Sequence, residues 1–288
     1  MAGTSTIVKH GDVVTDAVRA ADHDRYLSAL YAPADKRDAL LALYAFNAEI
    51  AGVRDRIHEP LPGEVRLQWW RDVIDADGPE ETGHPIADAL KAAIVGYHLP
   101  KSAFDNMLEA RIFDLYDDPM PSRTDLEGYC GETAAALIQL AAMMLDPVAA
   151  PGFAELAGRA GCAQAITGLL LLLPLHRRRG QCFVPADILA AAGTTPEEFV
   201  KGEGGAAAER AAAAMLALAR DHLNAFEKGA PALPVALRPA FLPLALTRAY
   251  LDKMEKAGRS PLSATATLST LRRHWLLLRH AMRGWTPL

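Results

Sequence analysis

The residues best suited to chemistry lie along one predicted helix, over residues 33–58. Five residues of this predicted helix recur at steps of three and four and therefore share one helix face: Leu41, Tyr44, Ala48, Ala51 and Asp55. This face begins apolar and ends on a carboxylate, the kind of hard oxygen ligand that Mg²⁺ binds. Arg54 and Arg56 flank that carboxylate, so the alternative for Asp55 is a solvent-facing or salt-bridged acid near a helix end.

A basic run later in the chain offers a different chemistry. Arg177, Arg178 and Arg179 could hold a diphosphate, because guanidinium groups bind phosphate oxygens through paired hydrogen bonds. A solvated basic turn between two helices is the alternative. His176, which precedes the run, has no second His or Cys at ligand spacing, so we predict a structural role for it.

Length and composition limit the kind of protein that positions these residues. The chain has 288 residues, 51% hydrophobic and 23% charged, which is ample for a buried core and unlike a disordered protein. The net charge of −5 gives no electrostatic reason to expect nucleic acid as a partner. The 3 cysteines are widely spaced and form no CxxC pair, which argues against disulfides and zinc and favours a reducing cytoplasm.

Two features bear on membranes. No apolar run reaches the roughly 18 residues that span a bilayer, and the N-terminal residues lack the layout of a secretory signal. The sequence therefore predicts a cytoplasmic protein. Near the C-terminus, Trp275 and the three leucines after it lie between arginines in a basic amphipathic stretch, which indicates either peripheral membrane contact or packing of a final helix.

Helical periodicity dominates the chain, and no segment alternates with the period of a strand, so we predict an all-α protein. Predicted N-caps are Asp35, Ser102 and Thr195, the last with Pro196 and Glu198 in a capping box. Residues 77–85 are predicted to form a polar loop. The main predicted helices cover residues 13–20, 24–31, 33–58, 64–75, 86–97, 102–114, 126–145, 154–173, 186–192, 206–228, 242–256 and 263–282.

The tripeptide Tyr44–Ala45–Phe46, followed by acids one to two turns later and then by a Trp-Trp-Arg segment, resembles the first motif of the squalene/phytoene synthases. These are the head-to-head prenyl synthases. In that family the helix continues after Tyr-Ala-Phe with a cysteine, an arginine and an Asp-Asp-x-x-Asp cluster. The corresponding run here, residues 47–55, keeps only the last acid, Asp55.

A second motif tract resembles the family but has lost its acids. The family pattern is Gln…Asn-x-x-Arg-Asp-x-x-x-Asp…Arg-Gly-Arg-x-Tyr-x-Pro, and the matching region here is 164–185. The surviving anchors are Gln164, Arg179, Gly180, Phe183 in place of tyrosine, and Pro185. The family's aspartates would fall at Leu172 and His176 or, with a one-residue slip, at Leu171 and Leu175. No acid occurs anywhere in the region, so a shifted alignment cannot restore the motif.

The resemblance implies an isoprenoid-synthase fold, with one domain over residues 1–288 and helices around a central cavity. Helices 33–58 and 154–173 would face each other across that cavity. In the active enzymes Mg²⁺ bridges the leaving diphosphate to carboxylates on these two helices. Both halves of that metal clamp are damaged here, so we predict no metal site and assign no catalytic residue.

Five residues remain as candidate remnants of the cavity or the diphosphate site: Tyr44, Asp55, Gln164, Arg178 and Arg179. Tyr44 and Phe46 could touch a prenyl chain, although aromatics at helical spacing are more often core residues. For the arginines, diphosphate binding and a solvated turn both stay open.

Three separated blocks carry a finer resemblance: YAFNAEIAGVRD, RLQWWRDV and FVPADIL. They look like the subgroup that includes a mitochondrial complex I assembly factor, whose members keep the fold and are thought to lack its chemistry. This implies an assembly or accessory factor that binds complex I subunits or assembly intermediates, placed in the cytoplasm or peripherally at the inner membrane. The alternatives are an active Mg²⁺-dependent prenyltransferase and a carrier that holds an isoprenoid or lipid in the cavity without chemistry.

Overall fold

The computed structural model describes residues 3–76, 81–256, 260–263 and 265–285, with the backbone alone for residues 3–10. Every regular element in these ranges is a helix, so the predicted all-α class is confirmed. None of the helices in the described ranges combines the length and the apolar character needed to cross a bilayer.

The α-helices of the first half are α1 (Gly3–Ala21), α2 (His23–Ala29), α3 (Ala34–Ala51), α4 (Val53–Arg56), α5 (Pro60–Asp75), α6 (Pro85–Gly96), α7 (Lys101–Ile112), α8 (Arg123–Cys130) and α9 (Ala136–Leu145). Those of the second half are α10 (Ala154–Leu171), α11 (Leu173–Arg178), α12 (Ala186–Ala192), α13 (Pro196–Lys201), α14 (Gly205–Gly229), α15 (Arg238–Phe241), α16 (Thr247–Met254) and α17 (Thr270–Arg283). A π-helical segment, Gly131–Ala135, joins α8 to α9, and short 3₁₀ turns occupy Phe113–Leu115, Ala150–Phe153, Ala230–Ala232, Val235–Leu237 and Leu242–Leu246.

The chain forms two compact units, each assembled from three separate segments. Unit 1 comprises Met1–Tyr116, Ala136–Ala154 and Pro234–Pro243; unit 2 comprises Asp117–Ala135, Glu155–Leu233 and Leu244–Leu288. The predicted single domain over residues 1–288 stays a prediction. The predicted cavity between the two motif-bearing helices also stays a prediction, because α3 belongs to unit 1 and α10 to unit 2.

Helix α3 is the centre of unit 1. It packs against α1, α2, α6, α7 and α9, and its residues 40–47 form an unbroken buried run. A helix that is buried all round needs apolar side chains on every face, and this one has them. The Phe46 ring meets Trp70 edge-on at 5.1 Å and Phe104 at 5.6 Å between centroids, which joins α3 to α5 and α7.

The predicted helix over residues 33–58 begins where expected, but its predicted N-cap and its predicted C-terminal end are wrong. Pro33 occupies the N-cap position without a side-chain hydrogen bond, and Asp35 lies in the first turn instead of capping it. At the other end α3 stops at Ala51, and Gly52 donates its N–H to the Ala48 carbonyl (3.0 Å) before α4 begins. Asp55 therefore lies on a separate four-residue helix, and the spacing of three and four residues that assigned it to one face with Leu41 and Tyr44 does not continue to it.

Unit 2 is built around α14, whose alanine-rich side is buried and packs against α12 and α16. Two sequence predictions are confirmed here. Gly193 ends α12 in the left-handed conformation (φ 84°), which glycine adopts without strain. Thr195 and Glu198 form the reciprocal capping box at the start of α13, with Pro196 at the first helical position.

Several predicted helices have other boundaries in the structure. The predicted helix over 126–145 is interrupted by the π segment, and the one over 154–173 ends at Leu171. The one over 242–256 begins with a 3₁₀ turn, and the last helix starts at Thr270, capped by Ser269. Ser102 is not an N-cap, since α7 starts at Lys101 directly after Pro100. Residues 77–80 of the predicted loop lie outside the described residues.

Candidate functional site

The first-motif residues of unit 1 divide between core and surface. Tyr44 is 2% exposed, and burial raises its pKa to about 12, while the Arg25 charge has a smaller lowering effect and the Asp22 charge a smaller raising effect. Asp55 is exposed on α4. Its neighbour Arg54 donates a hydrogen bond to the His58 carbonyl oxygen at 2.8 Å. The motif thus presents one exposed carboxylate and one aromatic that belongs to the core of the unit.

Glu49, the other acid of the first motif, is held by two arginines. Its Oε2 atom lies 3.2 Å from Nη2 of Arg56 and 3.5 Å from Nη2 of Arg66. Arg56 also donates to the Glu49 carbonyl oxygen at 2.7 Å, which fixes α4 against the end of α3. The two guanidinium groups satisfy this carboxylate, so it offers little to a metal ion.

An aromatic cluster continues from Glu49 across α5. The Arg66 guanidinium stacks over the Trp69 ring at 4.5 Å and contacts His84 at 3.4 Å. The His84 ring lies 5.3 Å from Trp69 and 5.6 Å from Trp70, and burial together with the Arg66 charge lowers its pKa. His84 also accepts a hydrogen bond from the Ala87 N–H at the start of α6, so the cluster holds α5 and α6 together.

The second-motif residues of unit 2 surround the break between α10 and α11. Gln164 is half-buried on α10. The backbone of Leu172 departs from α-helical geometry (ψ 0°). Pro174, in the first turn of α11, has no N–H to donate the backbone hydrogen bond that would continue α10. His176 is 8% exposed and its ring lies 4.8 Å from that of Phe183, which in turn lies 6.2 Å from Tyr129.

The three arginines of the basic run have different environments. Arg177 faces inward: its Nε donates to the Phe199 carbonyl oxygen at 2.9 Å and its guanidinium lies over the Phe199 ring at 5.5 Å. Arg178 and Arg179 are exposed at the end of α11, before Gly180 turns the chain with φ 79°. Two of the three side chains therefore remain on the surface, where an anion could reach them.

A second polar cluster in unit 2 joins α8 to α14. Glu127 Oε1 lies 2.9 Å from His222 Nε2 and accepts from Nε and Nη2 of Arg123, both at 3.1 Å. Burial acts to raise the pKa of Glu127, but the hydrogen bonds from His222 and Arg123 outweigh it and hold the pKa below its usual value. His222 itself is 6% exposed, so this hydrogen-bonded contact links the two helices inside the unit.

Two cysteines meet beside this cluster. Cys130 at the end of α8 and Cys162 on α10 are both buried, and the hydrogen bond between their thiols lowers the pKa of Cys162 against the opposing effect of burial. The contact requires close backbones. A Cβ on Gly161 would lie 2.4 Å from the Ala135 backbone nitrogen, so only glycine lets α10 approach the π segment.

The donor set for the magnesium ions that the fold family implies does not fit. At the first motif, the side chains of Ala51 and Gly52 have no ligand atoms, and Asp55 is the one acid of α4. At the second motif, the aligned positions carry leucines and one histidine. Mg²⁺ needs several hard oxygen ligands in octahedral geometry. No group of three or more His, Cys, Asp or Glu side chains in the described part of the chain could hold a metal ion.

Comparisons with known proteins agree with this picture of a family fold. A sequence model described as squalene/phytoene synthase matches residues 18–278. A Bos taurus protein named NADH dehydrogenase (ubiquinone) complex I, assembly factor 6, is 28% identical over 247 residues, covering 84% of this chain and 72% of that protein. Phytoene synthase 1, chloroplastic, from Arabidopsis thaliana is 25% identical over 236 residues, covering 80% and 56% respectively.

The fold likeness extends to solved structures. The crystal structure of a dehydrosqualene synthase in complex with ligand matches with a TM-score of 0.81 at 18% identity, and the match covers 96% of each chain. The predicted isoprenoid-synthase type of fold is therefore confirmed.

Sequence reasoning missed the two polar clusters. The Glu49–Arg66 pair could have been considered from the sequence, because both residues belong to motifs noted there. Nothing in either motif, however, identifies the other as its partner. The Glu127–His222 pair and the two thiols had no signal in the sequence, since their members are far apart along the chain and follow no ligand spacing.

Proposed function

We base a proposal on one premise: the chain belongs to the squalene/phytoene synthase family, whose model matches residues 18–278. We propose that it acts without the family's condensation chemistry, as an assembly or accessory factor for respiratory complex I. Its partners would be complex I subunits or assembly intermediates, and its place the cytoplasm or the periphery of the inner membrane.

One observation carries the proposal: the carboxylates that would bind magnesium are gone or already engaged. The second motif contains no acid between Gln164 and Pro185. In the first motif Glu49 is paired with Arg56 and Arg66, and Asp55 lies on its own short helix. Ionising an allylic diphosphate requires a cation to take up the developing charge on the leaving group, and these residues provide no site for one.

The names of the relatives support the same direction. The Bos taurus and Homo sapiens relatives, both named complex I assembly factor 6, are each 28% identical to this chain and share 84% of its length. A protein that assists assembly needs its fold and its surface but no reacting centre. The retained aromatic core around Phe46 and the altered motif surface fit that requirement.

The second candidate is an active prenyltransferase with a changed metal site. It is favoured by the exposed pair Arg178 and Arg179, which could hold a diphosphate, and by the likeness to a dehydrosqualene synthase fold. A carrier can be distinguished from both the assembly factor and the enzyme, because an isoprenoid or lipid should stay bound to it through purification.

Asp55→Ala tests the proposal directly. If the protein works through its surface, a deletion strain that carries the variant should recover full complex I activity, because no ionisation step depends on that carboxylate. In a metal-dependent enzyme, loss of one of so few ligands should lower turnover by on the order of 10²–10³. The measurements are NADH:quinone activity of isolated membranes and the amount of fully assembled complex on native gels.

Glu59→Ala is the matched control, because Glu59 is also exposed and its side chain makes no capping hydrogen bond at the start of α5. Immunoblotting should show equal amounts of both variants and the wild type. Loss of rescue by Asp55→Ala alone at normal abundance, together with prenyl product formed by the wild type from farnesyl or geranylgeranyl diphosphate, would refute the assembly role.

A further inference from the structure

The last helix of unit 2 has a row of exposed apolar side chains, the apolar stripe, on the side opposite its two buried leucines. Helix α17 buries Leu276 and Leu277. On the opposite side four large apolar residues stand at steps of four, three and four: Leu271, Trp275, Leu278 and Met282, which are 85%, 58%, 47% and 73% exposed. Single exposed apolar side chains are ordinary, but four in register along one helix face indicate a binding surface.

The charges of α17 are of one sign. The helix contains four arginines and no aspartate or glutamate. At about 100° per residue, Arg272, Arg279 and Arg283 lie roughly 70–110° from the centre of the stripe and form one basic flank. The Arg279 guanidinium lies 5.6 Å from the Trp275 ring centroid, so the flank and the stripe are continuous.

A cavity of about 430 Å³ lies under the basic flank, lined by residues of α14, α16 and α17. Its two carboxylates are already paired: Glu227 with Arg248, and Asp252 with Arg220. Arg272 and Arg279 reach the same cavity from α17, and among the described residues neither is within ion-pair distance of a carboxylate. The two acids of this cavity therefore do not neutralise the charges of Arg272 and Arg279.

We propose that the outer face of α17 docks on the surface of a bilayer that contains anionic phospholipid. The stripe supplies leucine, methionine and tryptophan side chains for the boundary between headgroups and acyl chains, and the arginines supply contacts to lipid phosphates. Tryptophan and arginine are side chains suited to this boundary, because each has an apolar body and a polar or charged end. This mode of attachment lies parallel to the bilayer and does not require a helix that crosses it.

A second copy of the chain fits the surface less well. A stable protein interface uses about 20–30 residues from each partner, whereas the stripe has four residues. Pairing two copies through this face would also bring two basic flanks close together, and α17 has no acids to compensate their repulsion. Both arguments favour an anionic lipid surface.

Vesicle co-sedimentation tests the proposal with the full chain. We expect wild-type protein to pellet with vesicles of phosphatidylcholine that contain phosphatidylglycerol or cardiolipin, and to stay in the supernatant with phosphatidylcholine alone. Leu278→Glu should weaken binding at least tenfold. Arg279→Glu should weaken it by about fivefold or more, since one basic residue near an anionic surface contributes about that factor.

Matched controls separate the stripe from general effects of charge and folding. Val148→Glu adds the same charge at a residue that is 90% exposed in unit 1, and Lys201→Glu reverses a charge on exposed α13. Both should pellet like the wild type, and circular dichroism should be unchanged in all four variants.

Three results would overturn the proposal. The first is equal binding of wild type and Leu278→Glu to anionic vesicles, and the second is absence of wild-type binding to any vesicle. The third is a wild-type dimer in sedimentation velocity without lipid that Leu278→Glu converts to a monomer, because the stripe would then cover a second copy. The assay contains no complex I component, so its outcome does not depend on the assembly role.

Discussion

Two glycines on α10 should respond to alanine in opposite directions. A Cβ on Gly161 would lie 2.4 Å from the nitrogen and 2.5 Å from the Cα of Ala135, in the backbone of the π segment. Gly158 lies one turn earlier on the same helix, and a Cβ built there has no neighbour within 4 Å. The pair therefore separates the effect of close helix packing from the intrinsic effect of glycine on a helix.

The magnitudes follow from two opposing contributions. Replacing glycine by alanine inside a helix raises the free energy of unfolding by about 0.5–1 kcal/mol, and this is the change we expect for Gly158→Ala. At Gly161 the same gain is outweighed, because α10 and the π segment must move apart and overpacking costs about 1–3 kcal/mol or more. We expect Gly161→Ala to lower the free energy of unfolding by about 1–2 kcal/mol.

Urea unfolding followed by far-ultraviolet circular dichroism measures both variants against the wild type. The midpoints should move in opposite directions at an unchanged slope with denaturant, and calorimetry should show shifts of about 2–4 °C per kcal/mol. If Gly161→Ala were as stable as Gly158→Ala, the close approach of α10 to the π segment would be wrong. A change in slope for either variant would mean that the compactness of one of the two states had changed.

Two further predictions concern Glu127 and magnesium. Because the folded-state pKa of Glu127 lies below 4.5, its stabilising effect is present above pH 4.5 and is lost as the pH falls through the folded pKa. Glu127→Gln should therefore flatten the loss of stability in that acidic range, measured as urea midpoints against pH; an unchanged acid limb would contradict the His222 and Arg123 contacts. For magnesium, calorimetric titration with Mg²⁺ and a diphosphate analogue should show no metal-dependent binding, whereas a saturable Mg²⁺-dependent signal would revive the enzyme hypothesis.

The parts of the fold that the sequence predicted well are those with local causes. Thr195 and Glu198 lie three residues apart and cap the helix that they begin, so a short pattern determines the contact. The helix over most of α3 was predicted for the same reason, because its apolar residues recur at steps of three and four. The failed caps at Asp35 and Ser102 follow a competing local rule, since each helix begins directly after a proline that already sets the backbone at the helix start.

The failures elsewhere have tertiary causes. The π segment inside the predicted 126–145 helix accompanies the close approach of α10, which depends on Gly161 from a different part of the chain. The end of α3 at Gly52 accompanies the hydrogen bond from Arg56 back to the Glu49 carbonyl. Neither contact can be inferred from helical periodicity, and for the same reason the sequence did not predict the hydrogen-bonded contact of Glu127 with His222.

The break at Gly52 bears on what a magnesium site in this chain would require. In the family whose motif this chain resembles, the first motif continues on one helix, so its carboxylates share one helix face. Here Ala51 is the last residue of α3, and Asp55 lies on α4. At the second motif, the backbone of Leu172 departs from α-helical geometry just before Pro174. Aspartates placed at Ala51, Gly52, Leu172 and His176 would restore the residue types of both motifs, but the backbone that orients those residues would still differ. A magnesium site built on these motifs would need the backbone at both breaks to change together with the acids, so no single substitution to aspartate would create one.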